Sequence, residues 1–504
     1  MYSRRQNHLY KPVILLIFTL CSFLTAGRLT DPPLAPIRPV AEFERSQGVL
    51  ISYPFGIPTS FIAAMSQDVM VYCLVASYDQ TYCQNSLQSA GTNMENLELV
   101  IANTDSYWTQ DYGPFFVVDG NHQMGVVDFE YNRPRPLDNQ IPLLLSNYFD
   151  VPYFDSDIVH NGGNLMFDGY QTAASSTIVF TENPSINVDE RMADYYGALT
   201  HMTVADPTGN YHQHINCWAK FLAPDKIIVR EVPPNHFYFN QTEDVVDFYA
   251  NQTNCFGEPY KIYRVYTPAD EPYANSFILN DKVYIPVSGG QWDDDAIASF
   301  EEALPGYEVI GIQAWDWLPT DALHCRVMAI PDLEMLQILH NPIDDQEFPL
   351  NEYTVSAIID PLSEQGLIPD SLALYWRHEV FEEFLRLPLQ STAEFQEYAA
   401  AIPNQPLDGV VQYFLTAADS SGRIERLPLA GAFEFQVLGG YPAQLGDVNQ
   451  DEGLNILDII LIVNHIINVN HLSGYAFYLA DMDGNDQLNI LDIIFLNNQI
   501  IAGE

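Results

Sequence analysis

The chain is poor in positive charge. Of its 504 residues only 20 are Lys or Arg, against 66 Asp or Glu, for a formal net charge of -46. A surface so acidic repels phosphate backbones and anionic headgroups, which argues against nucleic-acid and membrane-surface partners and favours solubility and cation binding. Charged residues of both signs make up only 17%, whereas hydrophobic residues make up 47%. That balance excludes global disorder and supplies sizeable buried cores. Cysteine is sparse, six in all. Beyond the N-terminal region no segment is apolar for long enough to span a bilayer.

What is present begins with an export signal. Arg4, Arg5 and Lys11 precede the apolar run Val13 to Phe18, and the small residues Thr25, Ala26 and Gly27 follow. This is the layout of a signal peptide over 1–26, so the mature chain is expected to be secreted or held at the cell surface. Cys21 departs with it, leaving Cys73, Cys83, Cys217, Cys255 and Cys325. An odd number in an exported protein leaves at least one thiol unpaired. Cys73 with Cys83, and Cys217 with Cys255, are the candidate disulfides, and spacing decides neither.

The length calls for several domains. Residues 28–335 read as one mixed α/β unit. Short apolar runs suited to buried strands recur at Val49 to Ile51, Leu97 to Ile101, Ile227 to Val229, Val283 to Val287 and Val309 to Ile312. Between some of them lie amphipathic helices, such as Asp294 to Leu304, stopped by Pro305-Gly306. Residues 350–440 change character: alternation such as Val410 to Leu415, and the turn Asp419-Ser420-Ser421-Gly422, predict a small β-sandwich. Residues 441–504 contain a duplication. Asp447, Asn449, Asp451, Asn455 and Asp458 occupy positions 1, 3, 5, 9 and 12 of a calcium-type loop, and Asp481, Asp483, Asn485, Asn489 and Asp492 repeat the spacing. Each copy runs into a predicted helix, Ile459 to Ile467 and Ile493 to Ile501. Glu452 and Asp486 stand at position 6, where Gly usually makes the sharp turn, and Glu tolerates positive φ poorly.

Candidate chemistry lies in four segments: Trp108-Thr109-Gln110-Asp111-Tyr112-Gly113-Pro114 with Asn132-Arg133-Pro134-Arg135-Pro136; Gly162-Gly163-Asn164; Tyr211-His212-Gln213-His214-Ile215-Asn216-Cys217-Trp218; and Asn275 with Asp321-Ala322-Leu323-His324-Cys325. They offer a thiol nucleophile, a base or acid, a carboxylate beside an aromatic ring suited to a guanidinium, and two arginines suited to a substrate carboxylate. On residue chemistry alone this is a cysteine hydrolase.

Taken in order, these segments resemble the guanidine-modifying (pentein) superfamily, agmatine deiminases included, and most closely the secreted bacterial peptidylarginine deiminases. The resemblance covers about 35–335 and implies a five-bladed α/β propeller with the site in its central channel. It extends to an immunoglobulin-like domain over 350–440, and the duplicated loops resemble a dockerin over 441–504. It implies hydrolysis of peptidyl-arginine, with C-terminal arginine favoured, to citrulline and ammonia through a thiouronium on Cys325. His214 would be the general acid and base, Asp111 would hold the guanidinium, and Asn275 would line the nucleophile's pocket. Trp108 and Tyr211 would pack around the substrate, and Arg133 with Arg135 would grip its carboxylate. The family has Asp where this chain has Asn216, which removes one charge from the guanidinium's seat. No cofactor is implied for catalysis; Ca²⁺ is expected as a structural ion in the dockerin-like domain, together with a cohesin-type partner. The competing readings are a deiminase of agmatine or another small guanidine, and a non-catalytic guanidinium-binding protein.

Overall fold

The computed structural model describes residues 29–502 apart from 315, 347–349, 406–408, 438–443, 452, 473 and 486. The expected leader over 1–26 and the two loop residues Glu452 and Asp486 therefore lie outside the described residues. Backbone contacts divide the chain into two units. The first is Met1–Gln337 with Asp360–Leu367 and Ala418–Gly431; the second is Ile338–Ile359, Ile368–Ala417 and Ala432–Glu504. Two short pieces of the 350–440 segment thus cluster with the first unit. Paired ions accompany that placement: Arg423 Nε and Nη2 reach Asp332 at 2.7 and 2.8 Å, and Arg45 grips Glu425 through two bonds of 2.9 and 2.8 Å.

The first unit is mixed α/β and contains five separate sheets of three or four strands. Four of them repeat one scheme: an antiparallel hairpin, then a helix, then a strand that returns parallel. Ala219–Ala223 pairs antiparallel with Lys226–Glu231; helix Phe239–Ala250 follows, and Lys261–Tyr266 returns parallel. Phe277–Leu279, Lys282–Val287, helix Asp293–Ala303 and Glu308–Gln313 do the same. Parallel neighbours need such a crossover, and the helix covers the sheet face it crosses. In the fifth sheet the parallel strands Ser46–Ser52, Met70–Val75 and Leu97–Ile101 take Met328–Pro331 antiparallel, so the unit's late strand pairs with its early one. Val49 and Ile51 bury on one face of Ser46–Ser52 with Ile62 and Leu87, and Leu50 on the other with Phe116 and Val126. Burial on both faces is why these strands read as unbroken apolar runs.

The thiols correct one expectation. Cys73 and Cys83 are buried free thiols with Sγ atoms 3.5 Å apart. Cys217 lies against Asn216 Oδ1 (3.6 Å), whereas Cys255 hydrogen-bonds Asp168, so these two are not partners. Their spacing said nothing of the side chains that fold against each.

In the β-rich region a four-stranded and a five-stranded sheet form. Along Gly409–Ala418, Val411, Tyr413 and Leu415 are fully buried while Val410, Gln412 and Phe414 are only partly so, the period of two that alternation predicted. The C-terminal helices are Ile456–Ile466, Gly474–Ala480 and Ile490–Ala502. The first and last begin three residues before the predicted starts because Asn455 Oδ1 and Asn489 Oδ1 accept from Leu457 N (2.8 Å) and Leu491 N (2.9 Å) and so cap them. Among the described residues no helix is long and apolar enough to cross a membrane.

Candidate active site

The nucleophile candidate sits on a short 3-10 turn, His324–Arg326, with Cys325 2% exposed. Arg326 pins that turn: its Nε and Nη2 form paired bonds to Asp321 (2.9 Å each), and its Nη1 reaches Asp316 (2.8 Å) and the Gly56 carbonyl (2.8 Å). Planar guanidinium-carboxylate pairing of this kind fixes direction as well as position. Asn275 Nδ2 donates to Cys325 Sγ (3.3 Å) and its Oδ1 accepts from Cys325 N (3.4 Å). Asn216 Nδ2 approaches the same sulfur at 3.8 Å.

His214 immediately precedes the 3-10 turn Ile215–Cys217, and Asp111 lies on the short helix Thr109–Tyr112. His214 Nδ1 stands 3.9 Å from Asp111 Oδ1. Gly163 borders both: a Cβ there would lie 2.8 Å from His214 Nδ1 and 3.0 Å from Asp111 Oδ1. At Gly162 a Cβ would lie 2.1 Å from the Gln110 carbonyl oxygen. The paired glycines let the chain pass where any side chain would fill the site.

Burial pushes the Asp111 carboxyl up to about 7, with Asp321 adding to the effect and Asn161, Arg133 and Arg135 opposing it. Burial, then His212, Arg133 and His160, drive His214 well below its usual value, so its imidazole is neutral. Asp111 Oδ1 and His214 Nε2 are buried and accept no hydrogen bond among the described residues. Leaving such groups unsatisfied costs about 1–3 kcal/mol each, and a ligand that bonds to them recovers it.

At the rim the arginines behave differently from one another. Arg135 Nη1 donates to Tyr131 Oη (2.7 Å), and that hydroxyl donates onward to Asp111 Oδ2 (3.4 Å). Its guanidinium lies 4.2 Å over the Trp108 ring, whose Nε1 donates to Asp321 Oδ1 (2.9 Å). One face of Trp108, expected to lie against substrate, is therefore held by Arg135, as a cation over an electron-rich ring should be. Arg133 Nη2 is buried without a partner, and its guanidinium faces Tyr211, which is 75% exposed, at 5.8 Å. Neither Arg133 nor Arg135 has an ion pair among the described residues, although Arg38, Arg45, Arg230 and Arg326 each do.

The structure thus groups Cys325 with Asn216 and Asn275, and His214 with Asp111; Arg135 reaches Asp111 through Tyr131 and lies on Trp108, and Arg133 faces Tyr211. Sequence reasoning gave no role to Glu42, His324, Tyr131 and Asn161. Glu42 and Lys220 are acid and base inside apolar stretches, a signal of burial in pairs.

Residues 39–331, more than half of the chain, match the model of the Porphyromonas-type peptidyl-arginine deiminases. The chain belongs to that family. Among its relatives is a Legionella pneumophila protein assigned as an agmatine deiminase, 24% identical over 300 residues, covering 53% of this chain and 83% of the relative. A Streptococcus mutans protein with the same assignment is 22% identical over 264 residues, covering 43% and 72%. The agmatine deiminase of Enterococcus faecalis shares the fold of the first unit, with a TM-score of 0.54 at 18% identity over 61% of this chain and 99% of that one. Guanidine deimination by a pentein-type fold is the activity these relations support.

The second unit holds the duplicated loops. In each, a fully buried aspartate organises the turn: Asp458 accepts from Asn449 N (3.0 Å) and Asn455 N (2.9 Å), and Asp492 from Met482 N (2.9 Å) and Asn489 N (2.8 Å). Asp447 Oδ1 accepts from Asp451 N (3.1 Å), and Asn485 Oδ1 from Gln487 N (2.9 Å). Asp481, Asp483 and Asp492 bring carboxylate oxygens within 4.8 Å of one another, an all-oxygen set of the kind hard cations take. Asn455 and Asn489 use Oδ1 as helix caps, so any bond to an ion at position 9 shares that oxygen.

Proposed function

We infer that the enzyme hydrolyses the guanidinium of peptidyl-arginine, favouring arginine at a C-terminus, to citrulline and ammonia. The observation that carries this finer specificity is the pair Arg133 and Arg135, without an ion pair among the described residues of a chain rich in acids, near Asp111, whose buried Oδ1 has no hydrogen-bond partner among the described residues. A substrate carboxylate answers the first and a guanidinium the second.

On this reading Cys325 gives its proton to neutral His214 and attacks the guanidinium carbon. The carbon–nitrogen bond breaks, His214 protonates the departing nitrogen, and ammonia leaves a thiouronium on Cys325. His214 then takes a proton from water, whose oxygen attacks the same carbon; as the carbon–sulfur bond breaks, the remaining hydroxyl proton is lost to bulk water, citrulline leaves, and His214 returns its proton to the Cys325 thiolate. Asp111 holds the guanidinium nitrogens, and Asn275 and Asn216 donate toward the sulfur. The five sheets would be the blades of a propeller about this channel. Residues 1–26 would direct export, 350–440 would be an immunoglobulin-like spacer, and 441–504 a dockerin-like anchor for a cohesin-type partner. Asp481, Asp483 and Asp492, with Asn485 and Asn489, would hold one Ca²⁺, and Asp447, Asn449, Asp451, Asn455 and Asp458 another.

A second reading, deimination of agmatine, is favoured by the names of the relatives; agmatine has no carboxylate to engage Arg133. The test is to incubate the purified protein with peptides bearing internal or C-terminal arginine and with agmatine, measuring ureido product and ammonia. Turnover of C-terminal arginine above the other two is expected; agmatine alone being turned over would replace this reading with the second.

A further inference from the structure

Behind Cys325, on the side of Asn216, runs a buried polar chain that the proposed steps do not use. His324 Nδ1 lies 2.8 Å from Asn216 Nδ2, and His324 Nε2 meets Glu42 Oε2. Glu42 is also bonded twice by Lys220 Nζ (2.7 and 2.9 Å) and accepts from Ile278 N (2.7 Å). His324 and Lys220 are 4% and 5% exposed. A cavity of about 70 Å³ borders these same residues, walled otherwise mostly by apolar side chains such as Phe115, Phe167 and Phe221, with Ser46 and Gln110.

We propose that Glu42 and His324 are positioning residues that turn the Asn216 amide so that one of its N–H bonds points at Cys325 Sγ. The proposal rests on the reading of Cys325 as the nucleophile.

The argument is one of donors and acceptors. Glu42 takes the carboxylate form: Lys220 Nζ bonds both of its oxygens (2.7 and 2.9 Å) and Ile278 N bonds Oε1 (2.7 Å), and its pKa is held down to about 2 against the effect of burial. An ionised carboxylate only accepts, so His324 must place its hydrogen on Nε2. Burial drives the His324 pKa down against the pull of Glu42, so the ring carries that hydrogen alone and Nδ1 has a free lone pair. Asn216 can satisfy that lone pair only with its NH₂ group. This choice fixes the flip of the amide, places Oδ1 toward Cys217 Sγ (3.6 Å), and directs the second N–H toward Cys325 Sγ (3.8 Å). With Asn275 Nδ2 at 3.3 Å, two donors then face a sulfur that must carry negative charge when it attacks. Had position 216 been Asp, its carboxylate would need a hydrogen on Nδ1 as well, and His324 would become an imidazolium between two carboxylates. Asn216 thus matches a neutral His324 and trades a second hold on the substrate cation for a donor to the nucleophile.

The test reads the sulfur directly, without substrate. The rate of iodoacetamide addition to Cys325 is followed against pH by mass spectrometry in the full-length protein and three variants. His324→Leu removes the acceptor for Asn216. His324→Asn restores an acceptor near the place of Nδ1 without needing Glu42. Glu42→Met with Lys220→Met removes the anchor of Nε2 while deleting both buried charges together. His324→Leu is expected to slow addition about tenfold at neutral pH and raise its midpoint by about one unit, with His324→Asn within about threefold of the parent and the double variant between them. His324→Asn as slow as His324→Leu, or His324→Leu with the parent rate and midpoint, overturns the proposal. If His324→Leu does not melt cooperatively, the double variant decides alone: an unshifted midpoint overturns the proposal. Labelling that falls first on Cys217 in the parent would instead sink the nucleophile reading itself.

Discussion

The pocket at Cys325 and the twin loops near the C-terminus both gather acid and amide side chains, and they treat them in opposite ways. In the loops, Asp458 and Asp492 are fully buried and give both oxygens to backbone N–H groups. In the pocket, Asp111 Oδ1, His214 Nε2 and Arg133 Nη2 are buried with nothing bonded to them among the described residues. Acids that the backbone satisfies shape a loop. Groups left bare inside a protein lower its stability unless something arrives to pair with them; on the proposed reading that is a cation at Asp111 and an anion at Arg133.

The largest effect that would break this comparison is at the sulfur. Cys325→Ala should abolish ureido product, since no other group can form the covalent intermediate, while the melting temperature stays within a few degrees. Residual turnover above background in that variant would contradict the pocket's assignment.

Next comes Asp111. Its folded-state pKa of about 7 lies above the ordinary carboxylate value. The empty folded state therefore keeps a proton that the unfolded chain releases, and the stability this contributes, full below the unfolded value, is lost as the pH rises through about 7. A guanidinium prefers the ionised form. Agmatine or arginine-peptide affinity, measured by calorimetry on Cys325→Ala, should thus rise about tenfold per pH unit approaching 7 and level off above it. Asp111→Asn in the same background should bind weakly and without that slope.

The substrate's carboxylate sharpens the contrast between the two rim arginines. Amidating the C-terminus of an arginine peptide should lower kcat/KM by about tenfold or more, the loss of a charged hydrogen bond. Arg133→Met should erase the difference between free and amidated peptides. Arg135→Met should lower both, because Arg135 also packs on Trp108 and holds Tyr131. Asn216→Asp should tighten guanidinium binding by about tenfold while slowing substrate-free alkylation by a similar factor, since the new carboxylate attracts the cation and repels the thiolate.

Much of this was legible along the chain, for physical reasons. Strands buried on both faces leave unbroken apolar runs, so Val49 to Ile51 and Val283 to Val287 stood out, as did the alternation of Val410 to Leu415. The proposed chemistry was marked by short segments too: Asp111 lies on a four-residue helix, and His214 and Cys325 lie at 3-10 turns. What required the fold were partners far apart in sequence. Glu42 is brought to His324 by the pairing of early and late strands, and nothing in the His324-Cys325 dipeptide announces it. The orientation of Asn216, the placing of Arg135 on Trp108, and the separation of Cys217 from Cys255 are of the same kind. The helices start at Ile456 and Ile490, ahead of the apolar runs at Ile459 and Ile493, because Asn455 and Asn489, at loop position 9, also cap them.

The smallest expected effect lies in the loops. Adding a chelator to the full-length protein should lower the melting temperature of the C-terminal transition by several degrees while deimination stays within about twofold. A matching loss of activity would mean that the two regions are coupled. Asp481→Ala should weaken the calcium response more than Asp447→Ala, because among the described residues the second loop alone draws three carboxylates within 4.8 Å of one another.

The central claim is covalent, and mass can be weighed directly. Mixing the protein with a peptide ending in arginine, quenching in acid within milliseconds to seconds, and mapping the digest should reveal Cys325 carrying the substrate's mass less one ammonia. That species should decay as citrulline appears. Turnover with no adduct at Cys325 at any quench time, or an adduct carried by Cys217 instead, would contradict the account.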